Sequence, residues 1–167
     1  MIQREAIEEK VKIAIQILVK KDVYLLENNV HERSITHKLA EYLQILFPDL
    51  NVDCEYNKKG DATEILTKRI RIDHNSNEKE YSVYPDIIIH QRHTKNNLLI
   101  IEIKKKISNK TKEWDIEKLK FFTESKDYHY LFGLFIEFDG PNISDSKWYA
   151  DGKERIGISE KLNIHSI

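Results

Sequence analysis

Apolar positions recur along this chain with different periods, and each period predicts a different element. In residues 3–20, Ile7, Val11, Ala14, Ile15 and Leu18 fall near one face at helical spacing, which predicts an amphipathic helix. "VHERSITHKLAEYLQILF" repeats that pattern with Ile35, Leu39, Tyr42, Leu43 and Leu46, and Pro48 stops it. "NVDCEYN" alternates instead, with Val52, Cys54 and Tyr56 facing one way and Asp53, Glu55 and Asn57 the other, as in a half-buried strand. "DIIIHQR" and "NLLIIEIK" are near-continuous apolar runs joined by the turn-prone "HTKNN", so both predict buried strands.

Residues 58–82 are polar except in "TKRIRI", where Arg69 and Arg71 alternate with Ile70 and Ile72. This predicts an excursion carrying a short strand or hairpin arm. "WDIEKLKFFTES" predicts a helix with Trp114, Leu119 and Phe122 on or near its inner face, and "YLFGLFIEF" another buried strand. After a break at "GPN", "SKWYADGKERIGIS" predicts a hairpin turning at Asp151 and Gly152. Stripped of its ends, the order is helix, strand, strand, strand, helix, strand. That order implies an α/β fold whose mixed central sheet is flanked by helices on both faces, in one domain over residues 1–167.

Composition narrows the class. With 40% hydrophobic and 33% charged residues the chain is globular rather than disordered. A net charge of −1 means that any nucleic-acid contact must come from a local patch. Cys54 is the only cysteine, which excludes an internal disulfide and a cysteine-rich zinc site and suits a reducing interior. The first apolar stretch is interrupted by Lys12 and Gln16 and is preceded by several charges, so it reads neither as a signal peptide nor as a membrane span. The expectation is a cytoplasmic protein with no membrane partner.

Charges at the boundaries of the two buried strands carry the candidate chemistry. Asp86 opens the first run, and Glu102 and Lys104 close the second. On a strand Glu102 and Lys104 point to the same side, roughly 6–7 Å apart. Pairing the two runs as a hairpin brings Asp86 beside them, so two acids and one base converge at one end of a sheet. Metal-assisted phosphodiester hydrolysis uses such a set. Two carboxylates from adjacent strands form a half-cage for Mg²⁺, and a lysine can orient water or stabilise the charge building on phosphorus.

Pro85-Asp86, then about 15 residues, then Glu102-Ile103-Lys104 resembles the P-D…(D/E)-x-K signature of the restriction-endonuclease-like nucleases. The order of elements from about residue 31 to 139 is similar to that superfamily's αβββαβ core, here with an extra N-terminal helix and a C-terminal β-hairpin. The resemblance implies Asp86 and Glu102 as metal ligands, Lys104 as the catalytic lysine and Glu32, in "HER", as an auxiliary carboxylate and ligand. It implies Mg²⁺ or Mn²⁺ as cofactor, nucleic acid as substrate with DNA preferred, and a homodimer where both strands of a duplex are cut. Lys118, on the later helix, is the expected phosphate contact. Lys105, Lys106, Arg69 and Arg71 are expected to contact the nucleic-acid backbone.

Plainer alternatives stay open. Glu102 and Lys104 also fit a strand-end ion pair, Asp86 a turn after Pro85, and Glu32 an acid favoured by the helix dipole. A catalytically silent module with the same fold, binding nucleic acid or protein, is the principal rival. His31 and His37 stand six residues apart, about 240° around a helix, and cannot share a metal from one face. His90 and His93 are expected at the surface, and Trp148 and Tyr149 are expected to close the sheet edge.

Overall fold

The computed structural model describes residues 4–28, 30–60, 65–74, 77–106 and 112–155. The first helix, α1 (Arg4–Lys21), buries Ile7, Val11, Ala14, Ile15 and Leu18, the predicted stripe. Lys20 and Lys21 occupy its last turn, where the helix dipole favours cations. A short α2 (Val23–Glu27) leads into α3 (Glu32–Leu46). There His31 caps the N-terminus by accepting from Arg33 N at 3.2 Å, and Phe47 and Pro48 follow the last turn.

Six strands form the main sheet in the order β1-β6-β7-β8-β9-β10. These are β1 (Asn51–Cys54), β6 (Ile87–His90), β7 (Asn97–Lys105), β8 (Phe132–Asp139), β9 (Asn142–Ala150) and β10 (Lys153–Glu154). Only the β7–β8 pair is parallel, and α4 (Glu113–Glu124) crosses over between them. The sheet is therefore mixed, as the continuous apolar runs imply. Alternation along β6 and β7 feeds two cores. Ile87, Ile89, Leu99, Ile101 and Ile103 pack with α1 and α3 on one face. Ile88 and Ile100 pack with Leu119, Phe122 and Phe135 under α4 on the other. Each such fully buried side chain stabilises the fold by roughly 1.5–3 kcal/mol.

The polar excursion contains two separate ribbons, β2 (Lys58–Gly60) with β3 (Ile65–Thr67) and β4 (Arg69–His74) with β5 (Asn77–Ser82). The predicted arm at "TKRIRI" is thus one half of the second ribbon. Asp151 (φ 52°) and Gly152 (φ 71°) turn the β9–β10 hairpin as predicted; the hairpin reading beyond Arg155 lies outside the described residues. At "GPN" the chain does not simply break. Gly140 takes φ 58° and closes a tight β8–β9 hairpin.

Three local expectations need correction. The alternation over residues 51–57 ends early, because Glu55 adopts φ 49° and terminates β1. Val52 consequently joins the first core and Tyr56 the second, while Cys54 is exposed. Trp114 is exposed rather than inward; the inner stripe of α4 is Asp115, Lys118, Leu119 and Phe122. Trp148 and Tyr149 lie buried in the two cores, since β9 is not the outermost strand. Among the described residues no helix is long and apolar enough to cross a membrane.

Candidate active site

β7 outruns β6. The register pairs Ile87 with Ile101, so the backbone of β7 beyond that point has no β6 partner along this edge. Two side-chain carboxylates take the partner's place. Ile103 N donates to Asp86 Oδ2 at 2.7 Å, and Lys105 N donates to Glu32 Oε1 at 3.0 Å. Asp86 is placed by the start of β6, where its own carbonyl accepts from Glu55 N of the β1 end. Glu32 is placed by the first turn of α3. A cleft of about 460 Å³ opens here, lined by Glu32, Asp86, Glu102, Lys104, Trp114, Asp115 and Lys118 together with Ile103.

Glu102 and Lys104 face α4, as strand alternation requires, and a chain of ion pairs links them. Lys118 Nζ donates to Glu102 Oε2 at 2.7 Å and contacts Asp115 Oδ1 at 2.9 Å; Lys104 Nζ lies 2.7 Å from Asp115 Oδ2. Glu102 is 1% exposed, and its Oε1 has no hydrogen-bond partner. A buried carboxylate oxygen without a partner is costly. Burial first, then the neighbouring Asp86 charge, raises the Glu102 carboxyl well above its ordinary range. Burial likewise pushes Asp86 up to about 6, against the opposing hydrogen bond from Ile103. Burial would depress Lys118, but the charges of Glu102 and Asp115 outweigh it and hold the ammonium above its usual range.

Four carboxyl groups (Glu32, Asp86, Glu102, Asp115) thus face two ammoniums (Lys104, Lys118). With all ionised the cleft carries a surplus of two negative charges, the charge of one divalent cation. Among the described residues no group of three or more His, Cys, Asp or Glu is arranged to hold a metal ion. Mg²⁺ does not require one: it is commonly held by one or two carboxylates, with waters and phosphate oxygens completing its shell. The unpartnered Glu102 Oε1 beside Asp86 suits that mode.

All four residues expected to be catalytic line this one cleft. The expected backbone contacts fare differently. Lys118 sits inside the cleft, committed to Glu102 and Asp115. Lys105 is buried and donates to Asn28 O and Val30 O, so it fastens the α2–α3 turn rather than facing a ligand. Lys106 is exposed and pairs with Asp139 at 2.7 Å. Arg69 is exposed at the start of β4, its N–H and carbonyl bound by the Tyr128 hydroxyl. Arg71 lies opposite Glu80 in the same ribbon, and its side chain is outside the described residues.

Asp115 lines the cleft and is the residue that sequence reasoning missed. Asp115, Lys118, Leu119 and Phe122 follow i, i+3, i+4, i+7 spacing, so the signal was present once the inner face was shifted by one residue. His90 was also misjudged. It is buried and forms a hydrogen-bonded pair with Asp53 at 2.8 Å; Arg92 pairs with the same carboxylate. Burial pushes Asp53 up, but the hydrogen bonds from His90 and Arg92 outweigh it and hold the carboxyl well below its usual range. None of these three residues lines the cleft.

No protein-family model matches this chain, and no curated protein matches it. Among solved structures the chain is similar to SSO0001, at 15% identity and a TM-score of 0.35, over 83% of this chain and 64% of that one. It therefore spans 64% of the length of that protein.

Proposed function

We propose that this chain is a metal-dependent nuclease of the restriction-endonuclease-like type, hydrolysing phosphodiester bonds of nucleic acid, with DNA as the preferred substrate. The observation that carries this reading is the buried, unpartnered Glu102 Oε1 beside Asp86, in a cleft whose carboxylates outnumber its ammoniums. With the two ribbons β2–β3 and β4–β5 set aside as an insertion, α3, β1, β6, β7, α4 and β8 run in αβββαβ order, and Asp86, immediately before β6, stands beside the antiparallel β7 that carries Glu102, which agrees with it. Asp86 and Glu102 would hold Mg²⁺ or Mn²⁺, with Glu32 as an auxiliary carboxylate. When bound there, the ion supplies a water of lowered pKa and neutralises charge on the phosphoryl oxygens.

The chain's own residues do the rest. Ile103 N fixes the Asp86 carboxylate through one oxygen and leaves the other for a ligand. Lys118 fixes Glu102 through Oε2 and leaves Oε1. Asp115 holds the Lys104 ammonium at the cleft wall, where it can donate to a phosphate oxygen. The second reading is a catalytically silent module with this fold. It is favoured by the closed chain of ion pairs, in which Lys104 and Lys118 already neutralise Glu102 and Asp115.

Calorimetric titration with Mn²⁺ and cleavage of plasmid and oligonucleotide substrates separate the two. The nuclease reading requires Mn²⁺ binding and divalent-dependent cleavage, both abolished in Asp86→Asn and Glu102→Gln with the far-ultraviolet spectrum retained. Wild-type protein that takes up no Mn²⁺ and cuts nothing supports the silent module.

A further inference from the structure

The cleft has an aromatic rim that the hydrolytic reading does not use. Trp114 lines it, directly ahead of Asp115 in the first turn of α4, yet is 38% exposed. The Tyr81 ring of β5 meets it edge-on, 5.9 Å between centroids at 73°, and is itself 40% exposed. An edge-to-face pair occupies only one face of one ring, so aromatic surface stays open to solvent beside the carboxylates. Phe122, Phe135, Tyr130 and Tyr149 of the second core are buried, whereas Trp114 and Tyr81 are exposed, as are Tyr84 just before β6 and Tyr24 in α2; of these, Trp114 lines the cleft.

We infer that Trp114, with Tyr81 behind it, is a stacking platform for an unpaired nucleobase, so that the substrate is single-stranded at the cleavage position. This rests on the nuclease reading of the cleft. Bases within a duplex already have both faces stacked, and an aromatic ring gains contact only with a base that is unpaired or splayed out. Stacking tolerates every base, which suits a rim that offers a ring face and no built set of base-reading donors. Lys118 is committed to two carboxylates and Lys105 to main-chain carbonyls, which leaves Lys104 as the cleft ammonium that can reach a phosphate oxygen, so stacking would add affinity that these backbone contacts do not supply. A single-stranded substrate also removes the requirement for two copies of the chain, since one site cuts one strand.

The test measures binding by anisotropy of a labelled short oligothymidylate, and of a duplex of equal length, in excess EDTA so that neither is cut. Oligothymidylate is expected to bind more tightly than the duplex and to quench the intrinsic fluorescence of Trp114, because Trp148, the second tryptophan, is buried. Trp114→Ala should weaken single-strand binding roughly 5- to 150-fold, with Trp114→Phe retaining most of it. A purely structural contact between ribbon and helix would change stability and leave the single-strand preference unmoved. Where Trp114→Ala loses its circular dichroism, Tyr81→Ala is measured in its place. Equal or tighter duplex binding, or no effect of the aromatic substitutions, overturns the platform. If Mn²⁺-dependent cleavage persists in that case, the nuclease reading survives alone. Binding of neither probe, with no cleavage, overturns both.

Discussion

Replacing Lys118 by methionine tests the buried charge chain most directly. The substitution keeps the aliphatic stem and deletes the ammonium, so Glu102, 1% exposed, loses the hydrogen bond to Oε2 while Oε1 already has none. Asp115 keeps Lys104 at 2.7 Å and is not orphaned. Removing one partner of a buried pair costs about 3–5 kcal/mol, because an uncompensated charge stays behind. Glu102 can escape part of that cost by taking up a proton. With the lysine gone its folded pKa rises above the already raised wild-type one, and between those two values the folded variant holds a proton that the folded wild type has released. Stability of the variant relative to wild type therefore falls as pH rises through that window. The deficit should be largest near pH 8 and smallest near pH 5, by urea unfolding at both. Adding Glu102→Gln should recover most of the loss, since the pair is then replaced by neutral groups. A deficit below about 1 kcal/mol at pH 8, or no recovery in the double variant, would refute the reasoning.

Two further predictions concern the frame around the cleft. Asp53 has a lowered folded pKa, so its contribution is complete above the unfolded value of about 3.9 and is lost as pH falls toward the folded one. Asp53→Asn should destabilise the protein at pH 7 and narrow its difference from wild type under acid unfolding; parallel acid curves would contradict this. At Gly133 an added Cβ would lie 3.3 Å from both Leu119 Cβ and Thr123 Cγ2, so Gly133→Ala should push α4 off β8 at a cost of about 1–3 kcal/mol. A urea midpoint at or above that of wild type would show that α4 yields freely.

Elements with strong periodicity were legible in the sequence: α1, α3, β6, β7 and β8 stand where their apolar spacing places them. The convergence of Asp86, Glu102 and Lys104 was legible too, because a tight hairpin and strict alternation leave little freedom. What was not legible depended on contacts between distant elements. The partners of Lys105 lie in the turn before α3, and the burial of His90 follows from Asp53 on a neighbouring strand. Such pairings depend on tertiary geometry, which no local period encodes. Asp115 is an intermediate case: its helix was predicted, but one misassigned tryptophan rotated the inner face away from it.

The two amides on β7 that lack a strand partner make the cleft observable from within the sheet. Ile103 and Lys105 donate to Asp86 and Glu32 rather than to backbone carbonyls. Their exchange with deuterated solvent is consequently gated by the release of a carboxylate rather than by the opening of a ladder. Main-chain protons inside a buried strand thereby become built-in sensors of how firmly two site acids are held.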